Sequence, residues 1–256
     1  MIIDTKGRLL KARNVWFEQV SSLDDIPKDG ADIVYIYGNS QPLSGGNMIC
    51  HKQYSAITNL TGTEEELFAA LGSTLRYKIK RAEREGTEVS FFSGEEAACR
   101  LPAFAETFEN MYEQKGNREE LPTEEMKTYA LDGKLLVSIA SIGGKAAVYH
   151  SYVCDDKHCR LTFTCSEFRA ALTKEEKQAF ARANELLHWK DITYFKGRGL
   201  FSYDWGGLTS PEEPNGIDKF KLSFGCKPVE YYNIIKPITM KAMLVREIKN
   251  HITKRS

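Results

Sequence analysis

Tyr203-Asp204-Trp205-Gly206-Gly207 and, shortly after, Gly216-Ile217-Asp218-Lys219-Phe220-Lys221-Leu222-Ser223-Phe224-Gly225 are the most telling residues of the chain. The first group reads as a buried strand that breaks into a glycine turn. The second reads as a short helix carrying a lysine between two phenylalanines. Glycine lets a ligand come close to the backbone, and a lysine can balance negative charge as it develops. Strand, turn and helix together can set backbone amides and a cation beside one cavity.

Upstream of this stretch the pattern is regular enough to assign elements. A long helix is expected over Thr173 to Lys196, ended by Gly197-Arg198-Gly199, with apolar residues around much of its circumference. Before it lie three strands, Lys134 to Ser141, Lys145 to Cys154 and His158 to Cys165, joined at Gly143-Gly144 and Asp155-Asp156 as an antiparallel meander. A helix is expected from about Ala97 to Lys115, with Pro102 pointing to a later start, and a shorter one follows Pro122. Thr87 to Phe92 reads as a strand. Leu75, Ile79 and Ala82 share one helical face, and Thr63 with Glu66 forms a capping-box pattern. Ile33 to Tyr37 and Tyr54 to Leu60 read as strands. Beyond the central stretch, Lys227 to Ile235 reads as a strand and Thr239 to Ile252 as a terminal helix.

From residue 87 the order is strand, two helices, three antiparallel strands, long helix, strand, short helix, strand. A regular βαβ alternation is thereby excluded, and the order is similar to that of the GNAT acyltransferase fold. Four local patterns narrow the resemblance. Thr74-Leu75-Arg76-Tyr77-Lys78-Ile79-Lys80-Arg81-Ala82 resembles the basic helix entering the acyltransferase domain of Fem-type enzymes. Asn184-Glu185-Leu186-Leu187-His188-Trp189 resembles their long-helix signature. Tyr203 to Gly207 and the F-K-x-x-F-G of Phe220 to Gly225 complete the series in order, over about residues 60–235.

The resemblance implies an α+β, GNAT-like fold: a mixed, largely antiparallel sheet with helices on both faces, plus a small N-terminal strand-rich segment. Residues 1–72 would be that segment, a trimmed remnant of a first GNAT-like unit. Residues 73–256 would be the acyltransferase domain with its C-terminal helix. It also implies an N-acyltransferase of cell-wall type. Such an enzyme moves an acyl or aminoacyl group from a thioester or tRNA ester to an amine of a sugar, peptide or peptidoglycan precursor. Acyl-CoA and aminoacyl-tRNA both stand as donors, with tRNA as carrier in the second case; no cofactor is otherwise implied. The glycines of the usual coenzyme A pyrophosphate loop are missing from Arg169-Ala170-Ala171-Leu172-Thr173-Lys174. The alternative is a non-catalytic GNAT-like module that holds an anionic glycan or lipid-linked ligand.

The resemblance assigns Lys221 to the transfer centre, stabilising charge at the acyl carbonyl or leaving oxygen, with Phe220 against the donor. Asp204, at a strand end before two glycines, could orient the amine or take its proton. His150 and His188 could each act as a base near neutral pH, His150 being the expected catalytic one and His188 a substrate contact. Asn184, Gly206 and Gly207 are expected substrate contacts. Arg76 and Arg169 are expected anion contacts, because guanidinium grips phosphate or carboxylate with two bonds. Each assignment competes with a structural one: core phenylalanines, a turn aspartate, packed histidines, salt-bridged arginines.

Composition sets the outer bounds. Lys plus Arg and Asp plus Glu number 35 each, so bulk charge gives no nucleic-acid signal. Two local basic runs stand out, at 74–86 and 236–256. They suggest an anionic ligand or membrane face, against a default of solvated helix faces. A nucleophile elbow and a G-x-x-x-x-G-K-[ST] loop are both missing from the sequence, which weakens hydrolase and nucleotide triphosphatase readings. Six cysteines with a polar N-terminus suggest reduced thiols in the cytoplasm, at most at the inner membrane surface, with no membrane insertion. Cys154, His158 and Cys159 cluster at a hairpin without a fourth ligand at metal spacing, so no metal is expected. Oligomeric state is not readable from the sequence.

Overall fold

The computed structural model describes residues 1–22 and 24–253, with side chains up to residue 247. In chain order the elements are β1 (Ile2–Lys6), β2 (Lys11–Trp16), β3 (Ile33–Asn39), β4 (Ile49–Asn59), α1 (Glu64–Ala69), α2 (Ser73–Arg84), β5 (Glu88–Ser93), α3 (Gly94–Glu113) and α4 (Thr123–Leu131). There follow β6 (Leu135–Ile142), β7 (Lys145–Cys154), β8 (His158–Ser166), a 3-10 turn over Glu167–Arg169, α5 (Lys174–Gly197), β9 (Ser202–Leu208), α6 (Gly216–Leu222), β10 (Lys227–Pro237) and α7 (Met240–Thr253).

Two compact units result: Met1–Ser55 with Val229–Ser256, and Ala56–Pro228. The boundary read at residue 72 follows chain order, whereas the units follow contacts. In the first unit β1 pairs antiparallel with β2, β2 runs parallel to β3, and β10 returns antiparallel to β3. Val15, Val34, Ile36 and Ile234 meet there in one buried cluster, which is why residues 229–237 belong with the N-terminus. Half of the basic run at 236–256 (Lys249, Lys254, Arg255) falls outside the described side chains.

In the second unit β5, β6, β7 and β8 form an antiparallel meander, and β9 joins β8 in parallel. Successive residues of a strand face opposite ways, and β7 uses both faces. Val148 packs with Ala183 and Leu187 of α5, while the Tyr149 ring stacks on Phe104 of α3 at 5.3 Å. Helices therefore cover both faces, as expected. The Thr63–Glu66 capping box forms, and α2 buries Leu75, Ile79 and Ala82.

Helix α3 begins at Gly94, ahead of the start suggested by Pro102. An interior proline costs about 3 kcal/mol. Burial of Ala97, Leu101, Phe104 and Phe108 along one stripe offsets that cost. At the β7–β8 hairpin Cys154 sits opposite Cys159, and Asp155 accepts from the Lys157 and His158 amides at 2.7 Å each. Among the described residues no helix is long and apolar enough to cross a membrane.

Candidate active site

The site starts where β8 and β9 part. Their register pairs among the described residues run from His158↔Ser202 to Arg160↔Asp204. Gly206 follows at φ +72°, and a Cβ there would lie 3.0 Å from the carbonyl oxygen of Leu161. Only glycine fits both the positive φ and that approach. Asp204, buried, accepts from Arg160 at 2.9 Å through Oδ2 and from the Gly206 amide at 2.8 Å through Oδ1. Its carboxylate thus fixes the turn, so the turn role that competed with proton acceptance is the one its bonds describe.

Helix α6 is launched by an Asn215–Asp218 capping box, with buried Asp218 also accepting from the Thr209 amide. This fixes the helix against the end of β9. Lys221, half-buried, donates from Nζ to the Gly207 carbonyl at 2.7 Å. Burial lowers its pKa from the ordinary lysine value; Asp204 and Asp218 pull it back up, and Arg160 pushes the same way as burial. Lys221, Asp204, Gly206 and Gly207 are therefore one constellation, as their sequence proximity suggested.

Beside it lies a cavity of about 320 Å³. Met111, Phe168, Phe180 and Phe220 give it apolar walls, and Thr164, Ser166, Asn184 and Glu185 give it polar ones. Phe220 connects the two regions: it lines the cavity, it precedes Lys221, and its ring lies 5.5 Å from that of His188.

Behind the cavity runs a buried hydrogen-bonded chain between β7, α5 and β9. His150 meets Asn184 Oδ1 at 3.0 Å through Nε2 and Asp191 Oδ2 at 2.8 Å through Nδ1. The Tyr152 hydroxyl donates to the same Asp191 oxygen at 2.5 Å and lies 2.7 Å from the Tyr203 hydroxyl. The Tyr203 hydroxyl lies 3.1 Å from His188 Nδ1. Burial, reinforced by the Asp191 charge, pushes both tyrosines well above their usual pKa, so they stay protonated. With the Tyr152 O–H directed at Asp191, Tyr203 donates to Tyr152 and accepts from His188 Nδ1–H. Burial first, then nearby His150 and Lys221, holds the His188 pKa well below the ordinary histidine value. A neutral His188 with its proton on Nδ1 presents a lone pair at Nε2. That nitrogen has no hydrogen bond among the described residues.

His150, His188 and Asp191 place their donor atoms within 4.8 Å of one another, which is metal-like spacing. Their bonding argues otherwise. His150 Nδ1 and Tyr152 already converge on Asp191 Oδ2, and the two imidazoles lie face to face at 4.1 Å with 32° between planes. Both His150 nitrogens are spent in hydrogen bonds, which leaves fewer open ligand atoms than a tetrahedral centre needs.

Two expected site residues stand outside the cavity lining. Arg76 donates to the carbonyls of Ala69 and Leu71 at 2.8 and 2.7 Å, closing the turn between α1 and α2. Arg169 is exposed on the 3-10 turn. The other cations of α2 also have internal partners. Lys78 pairs with Glu185, Arg81 with Glu85, Lys80 lies over the Phe68 ring, and Arg84 bonds the Lys80 carbonyl. The basic run at 74–86 is thus largely spent within the unit.

Asp191, Tyr152, Tyr203, Arg160 and Glu185 escaped the sequence reading as site residues. A signal existed for the first two. Asn184, His188 and Asp191 repeat at i, i+4 and i+7 along one helix face, and His150 with Tyr152 share one face of β7. Polar residues in register on two facing elements mark a buried network.

No protein-family profile and no curated protein matches this chain. Solved structures do. FemX matches with a TM-score of 0.63 at 12% identity, covering 93% of this chain and 84% of FemX. A C-terminal domain assigned to a lysylphosphatidylglycerol synthetase of Agrobacterium fabrum matches at 0.58 and 14% identity, over 97% and 84% of the two chains. L-PGS from Bacillus licheniformis gives 0.51 at 12% identity, over 95% and 83%. At such identity the likeness concerns the fold alone: the mixed, largely antiparallel sheet with helices on both faces that the residue patterns led us to expect is the one observed, and it is similar to the fold of FemX.

Proposed function

We propose that the chain is an N-acyltransferase that moves an acyl or aminoacyl group to an amine. The observation that carries this reading is the site at the parting of β8 and β9: a partly desolvated Lys221 ammonium held on the Gly207 carbonyl, next in the chain to Phe220, which lines the cavity. An acyl carbonyl entering there would develop negative charge on oxygen as the amine attacks. A cation held in a water-poor place stabilises that charge more than one in bulk water. Attack is direct, without a covalent enzyme intermediate. Cys165 lines the cavity, but burial pushes its pKa up beyond the ordinary thiol range, which keeps it from acting as a thiolate.

In this reading the histidines divide the work. His150 has both ring nitrogens engaged, and it orients Asn184 at the cavity wall. His188, with an unengaged Nε2, is the imidazole able to accept a proton from the attacked adduct. Burial makes it a weak base, so it takes a proton only from a group more acidic than a free ammonium, such as the cationic nitrogen of the tetrahedral adduct, and hands that proton to the departing thiolate or alkoxide. Asp204 keeps the Gly206 turn in shape. The fold shared with FemX and with a lysylphosphatidylglycerol synthetase supports acyl-group chemistry, since the second name itself describes a lysyl ester. A thioester or a tRNA ester as donor, and a sugar, peptide or cell-wall precursor as acceptor, complete the proposal. The internal pairing of α2's cations counts against a module that grips anionic glycan or lipid through that helix.

The test is transfer of radiolabelled acyl groups from acetyl-CoA, longer acyl-CoAs and aminoacyl-tRNA to a panel of amines, with wild type and Lys221→Ala. Transfer from one donor class that is lost in the variant while its melting temperature is kept supports the reading. Equal rates in both proteins remove Lys221 from the mechanism. No transfer from any donor, with no donor raising the melting temperature, overturns the reading.

A further inference from the structure

Glu185 is a charged side chain in the cavity wall, and it is only partly used. The residue is 6% exposed. Lys78 Nζ holds Oε1 at 2.7 Å, and the buried Oε2 has no hydrogen bond among the described residues. A buried carboxylate oxygen without a donor carries an uncompensated desolvation cost, so such an atom in a native wall calls for a partner. Lys78 satisfies half of the group. The terminal torsion of a glutamate is broad and soft, so a donor at the wall can take up the other oxygen with a small turn.

The rest of the cavity describes what that donor is attached to. Met111, Phe180 and Phe220 supply apolar surface, and Thr164, Ser166 and Asn184 can accept further N–H bonds. Among the lining residues Glu185 is the charged one. One anionic group with a spare acceptor, neighbouring neutral acceptors and apolar walls together fit a primary ammonium on an apolar stem. They disfavour an anionic head.

We propose that Glu185 is the residue that recognises the amine substrate, binding its ammonium head through the unspent carboxylate oxygen while the stem lies against Met111, Phe180 and Phe220. This rests on the acyltransferase reading, since it names the residue that holds one of that reaction's two substrates. It is a binding role. The ammonium can belong to the acceptor or to an aminoacyl donor; the shared chemistry is a primary ammonium.

The experiment uses the full chain and two probes of equal shape, 2-phenylethylamine and 2-phenylethanol, at neutral pH. Affinity is measured by calorimetry, and amide shifts by heteronuclear NMR. The ammonium should bind wild type at least about tenfold more tightly than the alcohol, as a charge-assisted hydrogen bond warrants. The shifts should centre on Ala181, Asn184 and Glu185. In Glu185→Gln the preference should fall to near unity with alcohol affinity kept. Equal binding of the two probes to wild type overturns the proposal, and so does a preference that survives in Glu185→Gln. Should that variant fail to fold, the wild-type preference and shift map still decide. Turnover then separates the two claims. An ammonium preference without any acyl transfer leaves the Glu185 site standing and removes the enzyme reading. Acyl transfer with the same KM for amine in wild type and Glu185→Gln does the reverse. A KM effect confined to the acceptor amine, or to an aminoacyl donor, assigns the head group to its source.

Discussion

His150 Nδ1 lies 2.8 Å from Asp191 Oδ2, and both side chains are fully shielded from solvent. The same oxygen takes the Tyr152 hydroxyl, while Asp191 Oδ1 has no partner among the described residues. The carboxylate is therefore the hub of the buried chain. Removing it strands an imidazole and a hydroxyl together. Asp191→Ala is expected to cost about 2–6 kcal/mol, the sum for two buried groups left without their hydrogen-bond partner. Urea unfolding checks this; a cost below about 1 kcal/mol, the size of an exposed pair, would mean the network is not coupled.

Lys221→Met should lower kcat about 10²–10³-fold, the usual loss for removing one donor to a developing oxyanion. The wild-type rate should also fall at alkaline pH, because the ammonium is lost as pH rises through the lysine pKa. Burial sets that pKa below the ordinary value, against the pull of Asp204 and Asp218, so the fall comes at a lower pH than for a free lysine. The stability sign is the opposite of an ion pair's. A lysine whose folded pKa is depressed destabilises the fold while charged. Wild type should thus gain stability relative to Lys221→Met as pH rises from that lowered pKa toward the ordinary lysine value. An alkaline limb that is identical in Lys221→Arg would assign the titration to another group.

Gly206→Ala is expected to destabilise by about 1–3 kcal/mol, the cost of a side chain held at positive φ. The added Cβ would also press on a backbone oxygen, which cannot move aside as a side-chain tip can. Circular dichroism during thermal unfolding measures the loss. An unchanged melting temperature would show that the β9 turn relaxes freely.

Burial raises the Glu185 pKa above the ordinary value, with Lys78 and then Arg182 opposing. A carboxyl with a raised folded pKa weighs against the fold when ionised, and that burden lifts as pH falls through the raised pKa. Glu185→Gln should therefore be more stable relative to wild type at alkaline pH than at acid pH, where both side chains are neutral. Melting curves across that window read the difference. A gap that is constant with pH contradicts the raised pKa.

Much of the second unit was readable in the sequence. The meander from β6 to β8 announces itself by glycine and aspartate turns between alternating runs, and α5 falls within one residue of its expected ends. The β9–α6 constellation was also legible, because its residues are near neighbours in the chain. What escaped was assembled over distance. Asp191 and Tyr152 are far apart in sequence, and nothing local tells a tyrosine in a strand that a carboxylate awaits it. Arg76 shows the same limit at short range: its bonds to two carbonyls of its own turn follow from the local backbone path, which no residue pattern announces. The first strands were blurred because β2 pairs in parallel with β3 across a long irregular connection, without a hairpin to announce the partner.

The union of Met1–Ser55 with Val229–Ser256 bears on how the polypeptide matures at the ribosome. Strand β10 cannot reach its place beside β3 until the whole of Ala56–Pro228 has been synthesised, which at ordinary elongation speeds takes roughly 10–35 s. For that interval β3 emerges with one edge unclaimed. The second unit has its whole sequence available and is free to condense before the first can close.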